Sequence, residues 1–322
     1  MKKYILLYSD KKPEDNICLT NMFKNNKKIN LGWTDFDYNN NMKIINEEIN
    51  NGIEQIIFAG IEIGWKKMII DLKNEHSNIE VKVICTTQDS LLYYEYERNN
   101  FFELLELSKD GLIKDIAFLK KGQYETYKNL GYNCSYLMEN YILEDEIKMD
   151  NKKPEDKLNL GIYPLNYTWD KNIFNQLCVA KFLDNCNLNY YNLDPRMEEF
   201  LTTMGIDNTP EKIEEISDKN IIKSILKNDV IVSTSFTEYM HPIFWLGMET
   251  EIPVLIGNNS DLFNGEELEK YIVTSAEDNA IINSKLVGKI LENKAKILEL
   301  YKIWKKEYNQ KAKNNIEMFL EK

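Results

Sequence analysis

Thr237, Glu238 and His241 fall in and just after one short polar stretch, Ser233–Glu238, with apolar runs on both sides. A hydroxyl, a carboxylate and an imidazole there stand where a phosphate could be met. Glu238 is the best single candidate for chemistry, or it interacts with the free N–H groups of the helix that follows. Thr237 is able to donate to a phosphate oxygen. His241 either caps a helix starting at Pro242 or reaches the phosphate. Further on, Gly257-Asn258-Asn259 closes an apolar run. Its backbone or Asn258 touches the ligand, or these residues serve a turn alone.

These residues need a scaffold, and the flanking pattern describes one. Val230–Val232 has the branching and length of a buried parallel strand. Pro242 fits the first turn of a helix, and Ile243–Met248 is apolar on nearly all sides. Pro253–Ile256 is a second buried run. Strand, loop, helix and strand make one βαβ unit, with the polar loop at the strand's carboxyl end, where open α/β sheets bind ligands. The helix N-terminus there offers N–H groups to a phosphate.

The same alternation runs through the chain. Strands are expected at Tyr4–Tyr8, Glu54–Gly60, Val81–Cys85, Ile113–Leu119 and Cys134–Leu137, with helices at Trp65–Lys73, Leu91–Glu106 and Gln123–Leu130. A charged, Pro-containing segment, Leu143–Asn159, reads as a boundary between domains 1–150 and 151–322. Beyond it, strands are expected at Leu160–Tyr163, Leu188–Leu193 and Tyr271–Thr274. Helices are expected at Lys171–Leu183, Lys212–Ile216 and Asn220–Leu226. Ala280–Lys322 reads as one long helical stretch with Ile297, Leu300, Tyr301, Trp304, Tyr308, Ala312 and Phe319 on one face. That stripe either packs on protein or, with the lysines opposite, meets anionic lipid.

The Ser235-Phe236-Thr237-Glu238 loop, the buried helix and the Pro253-Val254 strand start together resemble the carboxyl-terminal half of family 4-type retaining glycosyltransferases of GT-B fold. The resemblance implies two Rossmann-like domains with parallel sheets facing across a cleft and a C-terminal helix crossing back. It implies an N-terminal acceptor domain and a C-terminal nucleotide-sugar donor domain. The implied reaction moves a sugar from a nucleoside-diphosphate-sugar to a cell-surface glycan or protein acceptor, with retention, and without a metal or a cofactor beyond the donor itself. Glu238 and Lys171 take the catalytic positions. Lys171 is the cation of Tyr163–Asn172, the region where the family supplies charge to the departing phosphate. A cation in a first helical turn is disfavoured by the dipole, which suits an anionic partner. Thr237, His241, Asn172, Trp169, Gly257 and Asn258 would line the donor site. Two positions depart from the pattern: Leu246 stands where the family has its second Glu, and Glu251 where it has a Gly before the Pro-Val pair. Glu249 and Glu251 are the acidic residues nearest the missing carboxylate. These departures keep a second reading open, a GT-B-like partner or chaperone of an active transferase. A third is a sugar-nucleotide epimerase. Asp35-Phe36-Asp37 carries the letters of the metal-binding motif of GT-A transferases, at a place early for that fold. Asp10, Asp35 and Asp37 end strand-like runs in the first domain, and one of them could serve the acceptor, with no signal that selects it.

Bulk properties exclude other classes. A net charge of −12 argues against nucleic acid, which needs clustered Lys and Arg. The chain has 5 cysteines, scattered, and 2 histidines, which favours reduced thiols in the cytoplasm over a metal centre. The apolar stretch near Met1 is too short for a signal peptide and runs directly into charge. The expectation is a cytoplasmic protein, at most at the inner face of a membrane, and a homo-oligomer is open.

Overall fold

The structure, a computed structural model, describes residues 2–9, 11, 13–23, 26–141, 157–191, 195–206, 208–211, 218–259, 262–263 and 265–322. The chain divides into two compact units: Met1–Tyr141 with Asn309–Lys322, and Ile142–Tyr308. The expected boundary segment lies mostly outside the described residues. So do Asp10 and the helix expected at Lys212–Ile216.

The first unit alternates β1 (Tyr4–Tyr8), α1 (Pro13–Met22), β2 (Lys27–Asn30), α2 (Tyr38–Asn50), β3 (Gln55–Ala59), α3 (Trp65–Glu75), β4 (Glu80–Cys85), α4 (Glu95–Lys109), β5 (Asp115–Phe118), α5 (Lys121–Asn129) and β6 (Cys134–Tyr136). Its six strands lie in the order β2-β1-β3-β4-β5-β6, all parallel. β3 is buried along its whole length, as a parallel strand covered on both faces must be. Ile56, Phe58, Trp65, Ile69, Val83 and Phe101 fill the layer between sheet and helices.

The second unit holds β7 (Leu158–Ile162), α6 (Ile173–Val179), β8 (Cys186–Tyr191), α7 (Pro195–Met204), β9 (Asn208–Glu211), α8 (Asp218–Ile225), β10 (Val230–Ser233), α9 (Pro242–Glu249), β11 (Val254–Gly257), α10 (Glu269–Ile272), β12 (Val273–Thr274), α11 (Ala280–Glu292) and α12 (Lys294–Glu321). Its parallel sheet runs β12-β11-β10-β7-β8-β9. Counted from β7 this is the 3-2-1-4-5-6 order of dinucleotide-binding folds, and the order reverses between β7 and β10. The loops leaving those two strands therefore diverge and open a crevice.

Several expected elements are divided. Lys171–Leu183 is a 3-10 turn over Trp169–Lys171, then α6, then a second turn over Ala180–Phe182. The break is Asn172, at φ 53°, a left-handed conformation that Asn tolerates better than most residues. The aromatic stretch from Leu91 begins as a 3-10 turn, Asp89–Tyr93, before α4. Only Val273–Thr274 of the strand expected at Tyr271–Thr274 is extended, and α10 occupies the rest. The tail is two helices, separated at Asn293, the C-cap of α11.

α12 spans the division, its first part in the second unit and Asn309 onward in the first. In the second unit its stripe closes an aromatic cluster. Trp304 lies 4.7 Å from the rings of both Phe263 and Tyr308, and stacks on Trp245 of α9 at 5.7 Å and 19°. In the first unit Asn315 bonds the backbone of Met138 and Tyr136 at 2.7 and 2.8 Å. The Lys82 ammonium donates to the carbonyls of Phe319 and Leu320, satisfying helix-terminal acceptors and opposing the negative end of the dipole. The apolar stripe is thus spent on protein packing. Among the described residues no helix is long and apolar enough to cross a membrane.

Candidate functional site

The turn after β7 and the loop after β10 meet at the crevice of the second sheet. The Phe236 N–H donates to the Asp170 carbonyl at 2.7 Å, which pins one loop to the other. Asn172 is the second fastening. Its amide donates to the Thr234 carbonyl at 3.0 Å and to the Glu277 carbonyl at 2.7 Å, while its oxygen accepts from Asn175 at 2.6 Å. Glu277 also accepts the Asn258 N–H at 2.8 Å, so the loop after β12 joins the same frame. Asn259 reaches the Ser235 carbonyl. Gly257 sits where these strands crowd: a Cβ there would lie 2.8 Å from the Ser235 carbonyl oxygen.

Within this frame the Lys171 ammonium donates to both oxygens of Glu238, each at 2.8 Å. Both side chains are mostly buried, at 14 % and 18 % exposure. The Asp170 carboxylate, fully buried, lies 4.0 Å from the same ammonium, and neither of its oxygens has a hydrogen-bond partner. One cation thus faces two carboxylates.

The sequence-predicted residues take distinct places around the pair. Thr237 is half-buried beside Glu238. His241 is buried at the N-cap of α9 without a side-chain capping bond, and its carbonyl accepts from Trp245 at 3.0 Å. Trp169 is exposed at the crevice. Asn172 is buried, and its amide is engaged in loop-to-loop bonds. Gly257 and Asn258 form the adjoining strand end. Leu246 is fully buried in α9. The two nearby glutamates are held by α12 instead: Glu249 by Tyr301 and Lys305, Glu251 by Lys302 at 3.0 Å.

Sequence reasoning missed Asp170 and Glu277, since neither burial nor loop-to-loop bonding leaves a local pattern. It also missed a cluster on the first unit. That sheet reverses its order between β1 and β3, and there the buried Glu62 accepts from Ser9 at 3.4 Å and from the Tyr96 hydroxyl, with Lys11 at 3.4 Å. Burial, and then the hydrogen bond to Glu62, push the Tyr96 phenol well above its usual range. Beside it an open cleft of about 490 Å³ is lined by Asp35, Ile63, Gly64, Tyr96, Asn99 and Glu103. This cleft and the Lys171–Glu238 pair belong to different sheets. Asp37 of the Asp-x-Asp letters caps its own turn, accepting from the N–H and hydroxyl of Thr34 at 3.0 and 2.7 Å.

No protein-family model matches the chain, and no curated protein matches it. Solved structures do. Sucrose-phosphate synthase from Thermosynechococcus elongatus superposes with a TM-score of 0.69 at 12 % identity, over 99 % of this chain and 98 % of that one. HepE from Anabaena, in complex with UDP, does so at 0.66 and 10 % identity, over 99 % of each chain. A UDP-forming trehalose-phosphate synthase from Burkholderia xenovorans reaches 0.65 at 8 % identity, over 99 % of this chain and 98 % of that one. The class is a pair of Rossmann-like parallel sheets with a helix returning from the second unit to the first. The fold is GT-B, that of these glycosyltransferases.

Proposed function

We propose that this chain is a glycosyltransferase that moves a sugar from a nucleoside-diphosphate-sugar to a glycan or protein acceptor, with retention and without a metal. The observation that carries this reading is the Lys171–Glu238 pair, held at the point where the second sheet reverses strand order. As the bond from sugar to phosphate breaks, negative charge grows on the departing oxygen. The Lys171 ammonium, mostly shielded from water, would neutralise it. Glu238, released from Lys171, accepts hydrogen bonds from the sugar or steadies the positive charge on its ring. Titration with UDP, GDP and ADP tests the reading by thermal shift. A bound diphosphate at a hundred times its Kd stabilises by about 2.7 kcal/mol. Lys171→Met should abolish the shift. Absence of any shift in the wild type would overturn the proposal.

The buried Leu246 and the engagement of Glu249 and Glu251 with α12 favour one second reading, a GT-B partner protein that holds a nucleotide without turnover. That reading expects nucleotide stabilisation together with no release of UDP from UDP-sugars in the presence of any acceptor.

A further inference from the structure

Two large aromatic side chains stand open to solvent on the loops that carry the ion pair. Trp169 is 53 % exposed and Phe236 is 41 % exposed. Trp169 shares its 3-10 turn with Lys171, and Phe236 precedes Glu238 in the loop after β10. The 2.7 Å bond from the Phe236 N–H to the Asp170 carbonyl holds the loops in register. The two rings consequently lie side by side, 6.3 Å apart and inclined by 35°. Tyr167, two residues before Trp169, is also exposed, at 39 %. Clustered aromatic surface left in water is costly, and such patches mark binding sites.

Building on the glycosyl-transfer reading, we infer that Trp169 and Phe236 form a stacking platform for a pyranose ring beside the Lys171–Glu238 pair. A pyranose has one face of C–H groups and a rim of hydroxyls. Its C–H face matches the two rings, and its rim matches the carboxylate and ammonium of the flanking pair. A nucleobase would stack as well on aromatic rings alone. In a nucleoside diphosphate, however, a ribose separates the base from the phosphates, whereas the platform and the phosphate-seeking Lys171 share one turn. The ring next to a phosphate in such a ligand is the sugar. It belongs either to the donor or to a saccharide acceptor drawn up against it.

Calorimetric titration separates the two sources. UDP, UDP-glucose and methyl α-D-glucopyranoside are titrated into the wild type, Trp169→Ala, Phe236→Ala and Trp169→Phe, with the glucoside added to both free and UDP-saturated protein. If the platform holds the donor sugar, each alanine variant binds UDP-glucose about tenfold more weakly, the equivalent of about 1.4 kcal/mol of lost stacking, and binds UDP as before. If it holds an acceptor sugar, both nucleotide affinities stay and glucoside binding to UDP-saturated protein falls by the same factor. In either case Trp169→Phe retains most of the affinity. The inference alone is overturned if the wild type binds UDP while no sugar affinity responds to either alanine. It is equally overturned if the variants merely lower the melting temperature, the sign that these rings serve packing. A wild type that binds no UDP removes the glycosyl-transfer reading. The glucoside arm then decides: binding lost in both alanine variants sustains the platform, and no glucoside binding ends it.

Discussion

Replacing Lys171 by Met should cost far more stability than replacing its partner Glu238 by Gln, although both remove the same ion pair. Lys171 stands 2.8 Å from both Glu238 oxygens and 4.0 Å from the buried Asp170 carboxylate, which has no hydrogen bond of its own. Two unit charges 4 Å apart attract by about 4 kcal/mol at an effective dielectric constant of 20. Lys171→Met leaves both carboxylates facing each other without a counter-charge. A buried pair broken on one side typically loses about 3–5 kcal/mol, and that is the expected loss here. Glu238→Gln leaves the ammonium beside Asp170, so about 1 kcal/mol is expected. Adding Asp170→Asn to Lys171→Met removes the stranded buried charge and should recover at least half of the loss, an interaction well above the additive limit for distant sites. Urea unfolding followed by far-UV circular dichroism, with the transition of the second unit fitted separately, measures all four proteins. Equal shifts for Lys171→Met and Glu238→Gln, or no recovery in the double variant, would refute the argument that Lys171 neutralises Asp170.

Four further outcomes are expected. Glu251 adopts φ 58° at a position where Gly is free of strain. Glu251→Gly should therefore stabilise by about 0.5–1 kcal/mol, because the relieved left-handed strain exceeds Gly's entropy and the loss of an exposed contact to Lys302. A melting temperature at or below the wild type's would contradict this. Trp304→Ala removes the ring at the centre of the aromatic cluster and should cost about 3–5 kcal/mol with a flattened near-UV circular dichroism spectrum. Leu246→Glu places a carboxylate at a fully buried position of α9 and should destabilise by several kcal/mol without improving nucleotide binding, read by melting and UDP titration side by side. Lys82 gives a pH signature. Burial, only partly offset by the charge of Asp115, lowers its ammonium from 10.5 to about 8. Between those values the unfolded chain binds the extra proton, so this site's contribution to stability rises with pH, by about 3 kcal/mol in all. The difference in stability between wild type and Lys82→Met should therefore shift in the wild type's favour from pH 8 to pH 10. A flat difference would show that Lys82 is not desolvated.

The parallel sheets were legible because their strands are short apolar runs at regular spacing, and β3 or β10 could hardly be anything else. α2 was not, since Tyr38–Asn50 is rich in Asn and its core stripe is thin. Only Asn41, Met42, Ile45 and Glu48 are buried, and Asn41 is there to bond both backbone groups of Gly32. Lys171 and Glu238 were found as separate residues of a recognisable pattern. That they touch depends on strand order, which no local window contains. Asn172 shows the opposite case. Its position beside Lys171 suggests ligand contact, while its left-handed backbone and its bonds to Thr234 and Glu277, which no local pattern announces, also make it a joint that fixes the turn.

A rigid frame and a movable charge coexist at this crevice. Asn172, Asn259 and the Phe236 N–H tie the loops after β7, β10, β11 and β12 together through backbone carbonyls, so the loop ends are set before any ligand arrives. The Lys171–Glu238 contact, by contrast, joins two long side chains, and on the proposed reading both would turn for a phosphate to enter. Because two carboxylates face the one ammonium, a simple anion gains little there, since it trades one negative partner of Lys171 for another. A ligand that brings hydroxyls for the displaced Glu238 as well as a phosphate for Lys171 satisfies both groups at once. On the glycosyl-transfer reading proposed above, the arrangement would select a sugar phosphate over phosphate alone, through the exchange of partners and not through a preformed anion hole.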